Sequence, residues 1–248
     1  MRDFFIFVKT FKYLSKNMDK KQIFSEKIFL PFCDGNKRES LELTTLLYQK
    51  YEVESTVYKN TGTWNIVENY FITKVIPHKI EVRKAGLEFL QHDWFVKLLS
   101  LSDFSASDNP IETFKYNLWI HDLSKFSLNE AYGYAVHDFK NQEPTLAVFK
   151  SAWHHHKINN PHHPEYWLDA DRGGKVTPLP MPSIYIGEMI ADWLGASRSY
   201  SPNSNIGEWL AKNLSQFLFH PYTANLLHDY LTRMGFKVSK NGQQLSIP

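Results

Sequence analysis

Helix start signals recur along this chain from residue 77 onward, and they restrict the fold more than any other feature. Pro110 precedes apolar residues at helical spacing, and its missing N–H costs nothing in the first turn of a helix. Ser127 and Glu130 have the spacing of a capping box, which predicts a helix from about 128 to 139. A helix that opens at Pro144 should end before Pro161, because a residue that precedes proline is pushed out of the α region. Further helices are predicted over 78–90, 110–121, 183–194, 206–219 and 221–234.

The segments outside these helices have other patterns. Residues 1–70 are rich in lysine and have turn signals at Asp34-Gly35-Asn36 and Asn60-Thr61-Gly62, and Gly173-Gly174 predicts a loop before the helix at 183. After residue 235 the chain alternates around Asn241-Gly242, which is typical of a β-hairpin. We therefore expect a mainly α fold in three parts. These are an N-terminal extension of unclear structure (1–70), a helical domain (71–235) and a C-terminal hairpin (236–248).

Composition restricts the class of protein. The 248 residues are 43% hydrophobic, which is ample for a continuous core. The formal charge of +2 comes from basic and acidic residues spread through the chain, so the sequence lacks the electrostatic signature of non-specific nucleic-acid binding. Cys33 is the single cysteine, which excludes an intramolecular disulfide and leaves any metal site to nitrogen and oxygen ligands. No stretch approaches the ~20 apolar residues that cross a bilayer, and we expect a soluble cytoplasmic protein.

Clustered histidines are the strongest functional signal. The chain has 11 histidines, and six of them lie at position 121 or between 154 and 163. Imidazole and carboxylate groups together are the ligands that Zn, Fe, Mn and related ions prefer. The dipeptide His-Asp occurs at 92, 121, 137 and 228, so the pair by itself carries little information. His121-Asp122 differs from the other three because Lys125 follows about one turn later and a helix-borne Asp192 lies downstream.

The charged residues around this pair each have two interpretations. Lys125 is placed to hold a phosphate oxygen as a point charge, or merely to pair with Asp122. Asp192 lies among apolar residues, where an isolated carboxylate is costly to bury without a cation, although an exposed position on an amphipathic helix is the alternative. Glu188 shares a helical face with Asp192, and it either accepts a hydrogen bond from a ligand histidine or faces solvent.

The ordered set His78, His121-Asp122 and Asp192, with HKIEV at 78–82 and HDLSK at 121–125, resembles the HD-domain superfamily of metal-dependent phosphohydrolases. More narrowly, the strings HDLSKF, HHKINNPHHPEYW and MPSIYIGEMIADW resemble an uncharacterised domain-of-unknown-function branch of that superfamily. The resemblance covers roughly residues 72–200. It implies an HD-like helical bundle that holds one or two divalent metal ions, from among Mn, Fe, Co, Zn and Mg.

The resemblance also implies a set of metal ligands. They are His78, His121, Asp122, Asp192 and a histidine from the 154–156 run. We favour His155 within that run, because neighbouring helical residues point about 100° apart and only one of a pair normally faces an ion. The candidates for a second metal ion or for the substrate are His156, His162, His163 and Glu188.

The first ligand position has a competitor. The interval from His78 to His121 is long for a compact HD core, and it requires the Ser- and Asp-rich segment 100–109 to be an insertion. His92 would shorten the interval. We prefer His78 because Val82 follows it at the spacing of the superfamily, whereas His92 lies late in its predicted helix.

The implied activity is hydrolysis of a phosphate ester, on a nucleotide or another small phosphorylated molecule, with Asp122 and Lys125 as catalytic residues. An HD-fold di-iron oxygenase is one alternative, since a histidine-rich site suits iron. A non-catalytic HD-like metal-binding module is another. The fold alone does not decide among them, because function resides in the site. The sequence contains no signal for a nucleic-acid partner, a membrane partner or an oligomeric state.

Overall fold

The computed structural model describes residues 19–53, 61–101, 107–140, 143–200, 205–242 and 244–248. The chain divides into two compact units, Met1–Glu54 and Ser55–Pro248. The helix that precedes His78 begins at Thr61, so the second unit contains residues that the sequence pattern placed in the N-terminal extension.

Helices make up the described part of the first unit. They are α1 (Lys20–Ile23), a π-helical turn (Phe24–Ile28), α2 (Phe29–Phe32) and α3 (Lys37–Lys50). Asp34 and Gly35 have positive φ angles of 51° and 81°, and this turn lies where the sequence predicted one. Asn36 then caps α3, because its side chain accepts a hydrogen bond from the backbone N–H of Glu39. The fully buried apolar side chains of this unit include Phe24, Ile28, Phe29, Leu43 and Leu47.

The second unit is also mainly helical. Its α-helices are α4 (Thr61–Tyr70), α5 (Ile76–Phe89), α6 (Asp93–Leu99), α7 (Pro110–Ile120), α8 (Ala131–Lys140), α9 (Glu143–Asn159), α10 (Ser183–Tyr200), α11 (Ile206–Asn213) and α12 (Pro221–Arg233). A π-helical turn (Phe71–Val75) joins α4 to α5, and 3-10 helices span Leu123–Phe126, Pro164–Trp167 and Leu214–Gln216. Two antiparallel ribbons pair β1 (Leu168–Ala170) with β2 (Val176–Pro178) and β3 (Ser239–Asn241) with β4 (Gln244–Ser246). The predicted mainly α fold with a C-terminal hairpin is confirmed. Within the described ranges, each helix is too short or too polar to cross a bilayer.

A close contact between α5 and α10 lies at the centre of the second unit. A Cβ atom built on Gly195 of α10 would lie 2.6 Å from the backbone nitrogen of Val82 on α5, so this position requires a residue without a side chain. His78 lies one turn before Val82, and Asp192 lies nearly one turn before Gly195. The two side chains therefore meet, with 3.0 Å between His78 Nε2 and Asp192 Oδ1.

Two local predictions were wrong. A chain-reversing turn was predicted at Asn60-Thr61-Gly62, but Thr61 and Gly62 are the first two residues of helix α4. Asn60 lies outside the described residues. The loop predicted at Gly173-Gly174 is present as the turn that joins β1 to β2, in which Asp171 accepts hydrogen bonds from the backbone N–H groups of Gly173 and Lys175. The capping box at 127–130 does not form, since α8 begins only at Ala131.

We predict that Gly195→Ala lowers the free energy of unfolding by about 1–3 kcal/mol, because the added methyl group overlaps the backbone of α5, which cannot move aside. Gly187→Ala is the matched control on the same helix, where the added Cβ would touch only the ends of side chains at 3.0–3.4 Å. Urea denaturation measures both variants. Equal stability of the two variants would contradict the proposed role of the α5–α10 contact.

Candidate metal centre

Four segments of the second unit contribute side chains to one buried cluster. They are α5, the turn after α7, the end of α9 with the loop that follows it, and α10. The cluster residues are His78, His121, Asp122, His156, His162, His163, Glu188 and Asp192. Most of these residues are at most 4% exposed, and His163 and Asp192 are partly buried. The structure therefore joins residues that are up to 114 positions apart in sequence, from His78 to Asp192.

The first group of candidate ligands is His78, His121, Asp122 and Asp192. Asp192 Oδ1 lies 3.0 Å from His78 Nε2 and 3.2 Å from His121 Nε2. Asp122 Oδ2 lies 3.2 Å and 3.5 Å from the same two nitrogens. Two imidazole nitrogens and two carboxylate oxygens thus converge on one point, as the ligands of a divalent ion do.

The second group uses the other oxygen of Asp122. Its Oδ1 atom lies 3.3 Å from His156 Nε2 and 3.5 Å from His162 Nε2. His163 belongs to the same group, in which one ligand atom from each residue lies within 4.8 Å of the others. Asp122 consequently has one carboxylate oxygen in each group, an arrangement that allows it to bridge two ions.

The backbone conformation of Asp122 directs this carboxylate inward. α7 ends at Ile120, and Asp122 is left-handed, with φ 56° and ψ 22°. A residue other than glycine pays a conformational cost there, and such residues cluster at functional sites. Lys79 supports the turn, because its buried ammonium group donates to the backbone oxygens of Trp119, at 3.2 Å, and His121.

Two buried glutamates orient the histidines from behind. Glu188 Oε1 lies 2.9 Å from His121 Nδ1 and 3.2 Å from His162 Nδ1. Glu130 Oε2 lies 2.8 Å from His156 Nδ1. A histidine that donates its Nδ1–H to a carboxylate keeps the lone pair of Nε2 available for a metal ion. Glu188 is 4% exposed, so of its two sequence interpretations the structure matches the acceptor and not the solvent-facing residue.

The charges in the cluster are strongly coupled. Burial opposes the cationic form of His121, but Asp122, Asp192 and Glu188 outweigh it and raise the pKa of His121 to about 10. Burial likewise opposes ionisation of Glu188, yet its histidine partners lower the pKa of this carboxyl to about 2. His163 has a lowered pKa because of burial and the neighbouring His162. A metal ion must displace the proton of His121, so binding should release protons and weaken as the pH falls.

Several buried atoms of the cluster make no hydrogen bond in the described part of the chain, although Asp122 Oδ2 has an ion pair with Lys125 and His78 Nε2 has one with Asp192. They are both ring nitrogens of His78, both carboxylate oxygens of Asp122, and the Nε2 atoms of His162 and His163. Buried polar atoms are nearly always satisfied, and unpaired ones indicate an additional group. The nitrogen and oxygen donor set fits a divalent cation such as Mn, Fe, Co or Zn. The residues present therefore fit a metal ion.

Some predicted residues lie outside the cluster. His155, which we favoured as a ligand, has a side chain that is 27% exposed, and its Nδ1 lies 2.7 Å from Glu130 Oε1. His156, one position later on α9, occupies the place beside Asp122 that was expected for His155. The two rings point in different directions because adjacent residues of a helix diverge. His92 precedes α6 as an exposed residue and belongs to neither group. In the described part of the chain, the His-Asp pairs at 137 and 228 contribute to neither group.

A cavity of about 1060 Å³ opens onto the cluster. His78, His156, His163 and Asp192 of the cluster line it, and so does Lys125. Lys125 Nζ lies 2.7 Å from Asp122 Oδ2, so the lysine pairs with the aspartate, and it also lines the cavity. Its contact with a phosphate oxygen stays a prediction.

A family model described as a family of unknown function (DUF5662) matches residues 67–233. The chain belongs to the DUF5662 family. Comparisons with curated proteins and with solved structures found no match. The DUF5662 segment contains both ligand groups, Lys125 and the two supporting glutamates, whereas the first unit lies outside it.

Sequence reasoning missed Glu130 in this DUF5662 centre. Its spacing from Ser127 favoured a capping box, but its two carboxylate oxygens instead lie 2.7–2.8 Å from ring nitrogens of His155 and His156. The available signal was a glutamate that follows HDLSK in a chain with a downstream histidine run. Sequence spacing could not show whether Glu130 would cap a helix or contact the histidines, because the observed contact joins α9 to the residue before α8.

We predict that His78→Ala lowers the metal content of the purified protein, because it removes a nitrogen ligand of the first group. His92→Ala should keep the full content, since this histidine lies outside the cluster. Elemental analysis measures both variants, and circular dichroism checks that they fold. Loss of metal in the His92 variant alone would reverse the assignment.

A second pair of variants tests the group around Asp122 Oδ1. His156→Ala should reduce the number of bound ions, whereas the neighbouring His155→Ala should leave it unchanged. Titration with Mn²⁺ or Co²⁺, followed by calorimetry, gives the stoichiometry. A normal stoichiometry in the His156 variant together with a reduced one in the His155 variant would contradict this geometry.

Proposed function

We propose that the DUF5662 segment of this chain is a metal-dependent phosphohydrolase with an HD-like centre, acting on a nucleotide or another small phosphate ester. The observation that carries the proposal is the position of Asp122. Its carboxylate lies between two groups of ligand atoms, and members of both groups line a cavity that Lys125 also lines. The order of His78, His121-Asp122 and Asp192 along the chain adds the resemblance to the HD superfamily.

The proposed ligands follow from the distances. His78, His121 and Asp192 would hold one ion, His156, His162 and His163 would hold the other, and Asp122 would contact both. Divalent cations in such a centre supply the positive charge that activates a water molecule and stabilises phosphoryl oxygens. Glu188 and Glu130 keep the histidine rings oriented, so the chain offers this arrangement before any substrate enters.

Lys125 is the residue that separates phosphoryl chemistry from simple metal storage. Burial opposes the charge of Lys125, but Asp122 raises the pKa of the ammonium group well above its usual range, so the charge persists at neutral pH. A cation that faces a cavity beside a metal centre is placed to neutralise the oxygens of a bound phosphate. In this proposal Lys125 binds the phosphoryl group, and the ion pair with Asp122 fixes the position of the lysine.

The cavity favours catalysis over a purely structural metal site. A structural site is normally closed by its protein ligands, whereas His78, His156, His163 and Asp192 all remain in contact with the cavity. A volume of about 1060 Å³ is also larger than free phosphate requires and suits a small organic ester. The histidine-rich donor set is compatible with iron as well, which supports a di-iron oxygenase as the second candidate.

We predict that Lys125→Met keeps its metal but loses roughly 10²–10³-fold in kcat/KM for phosphate-ester hydrolysis, because the variant removes a charge that acts on the phosphoryl group and leaves the ligands in place. The assay supplies nucleoside monophosphates and p-nitrophenyl phosphate with Mn²⁺, Co²⁺, Fe²⁺, Zn²⁺ or Mg²⁺. Metal content is measured on the same samples.

Lys84→Met is the matched control, since Lys84 is an exposed residue of α5 that pairs with Glu81. It should hydrolyse esters at the wild-type rate. Full activity of the Lys125 variant would show that its charge serves only to pair with Asp122. Turnover that requires molecular oxygen, compared under aerobic and anaerobic conditions, would transfer the assignment to the di-iron oxygenase.

A further inference from the structure

Three tyrosines surround Lys125 on the wall of the same cavity. They are Tyr70, Tyr134 and Tyr200. Tyr70 and Tyr134 are 2% and 8% exposed, while Tyr200 lies at the end of α10 and is 43% exposed. Phenylalanine would fill apolar space as well as tyrosine does, so buried tyrosines in a cavity raise the question of what their hydroxyl groups contact.

The ring of Tyr134 is held on several sides. It stacks on Tyr70 with 6.0 Å between ring centroids and an interplanar angle of 8°. It meets the rings of Phe149 and His156 edge-on, at 5.5 Å and 5.8 Å. These contacts fix the ring of Tyr134 beside the ring of His156, one of the candidate metal ligands.

That hydroxyl group is buried and has no hydrogen-bond partner among the described residues. Tyrosine hydroxyls that leave water normally find a partner, because an unpaired one loses its hydrogen bonds to water without replacement. Since Tyr134 lines the cavity, the missing partner is most simply a ligand that enters it.

The charge at this point selects the kind of ligand. Lys125 Nζ lies 5.6 Å from the centroid of the Tyr134 ring. The ordinary pKa of a tyrosine hydroxyl group is about 10, so the group is protonated at neutral pH and is able to donate. A hydroxyl donor on a ring that an ammonium group overlies, in one cavity, matches an anion with several acceptor oxygens.

We propose that Tyr134 and Lys125 form an oxyanion-binding subsite next to the metal centre, in which the Tyr134 hydroxyl donates a hydrogen bond to an oxygen of a tetrahedral phosphoryl group. The inference rests on the proposed function, since it assumes that the phosphoryl group is the part of the ligand that lies next to the metal centre. Lys125 connects the subsite to the centre through its contact with Asp122.

The experiment measures binding of inorganic phosphate to the metal-loaded full-length protein by calorimetry, which requires no turnover. Tyr134→Phe should keep the metal stoichiometry and the melting temperature, and it should weaken phosphate binding about tenfold or more, because it deletes one hydrogen bond to a charged group. Tyr132→Phe is the matched control on α8, two residues earlier and outside the cavity lining, and it should bind phosphate as the wild type does.

The outcomes separate the subsite from the proposed function. Weakened phosphate binding in Tyr134→Phe, in a protein that hydrolyses no phosphate ester, would support the subsite and remove the hydrolase. Ester hydrolysis and phosphate binding that are both unchanged in Tyr134→Phe would overturn the subsite and leave the hydrolase standing. A wild-type protein that carries its metal but binds no phosphate at millimolar concentration would overturn the subsite as well.

Discussion

The carboxylate of Asp122 is buried among imidazole nitrogens of His78, His121, His156 and His162, all within 3.5 Å, and it pairs with the Lys125 ammonium group at 2.7 Å. A carboxylate in the protein interior is costly unless opposite charges surround it. Burial raises the pKa of Asp122, but His121 and Lys125 outweigh it and lower the pKa well below its usual range. The rest of the site is arranged around this one anion.

The helices provide the rigidity that such an arrangement needs. The contact of Gly195 with the backbone of Val82 sets the distance between α5 and α10, and it thereby sets the distance between His78 and Asp192. The left-handed conformation of Asp122 would be unfavourable in an isolated peptide. In the folded chain it is held by the bonds of Lys79 to the backbone on its N-terminal side and by the contacts of its own side chain. Local strain at the centre is thus compensated by packing around it.

The cavity gives the buried cluster access to a ligand. Its lining combines four candidate metal ligands with Lys125 and Tyr134. In the proposed function, the metal ligands, the Lys125 cation and the Tyr134 hydroxyl group would each act on a bound phosphoryl group in a different way. Substitutions at these three places are therefore expected to change different measured quantities. Metal content, turnover and phosphate affinity then become separable quantities.

The sequence by itself determined the mainly α class, the C-terminal hairpin, and a histidine and aspartate set that fits a metal ion. Helix periodicity, proline positions and the Asn241-Gly242 turn are local signals, so they can be recognised in the sequence without knowledge of the fold. The sequence also distinguished His121-Asp122 from the three other His-Asp pairs by the residues that accompany it. Among the described residues, this is the only one of the four pairs that lies in the cluster.

Only the tertiary structure decided which histidine of the 154–156 run faces the cluster, because the rotation of α9 depends on its packing and not on its own pattern. It alone assigned Glu130 to His155 and His156 in place of a helix cap, since that contact joins separate segments of the chain. It likewise placed Tyr134 beside Lys125 on the cavity wall. Contacts between distant segments have no local sequence signature, and they decide which side chains share one buried space.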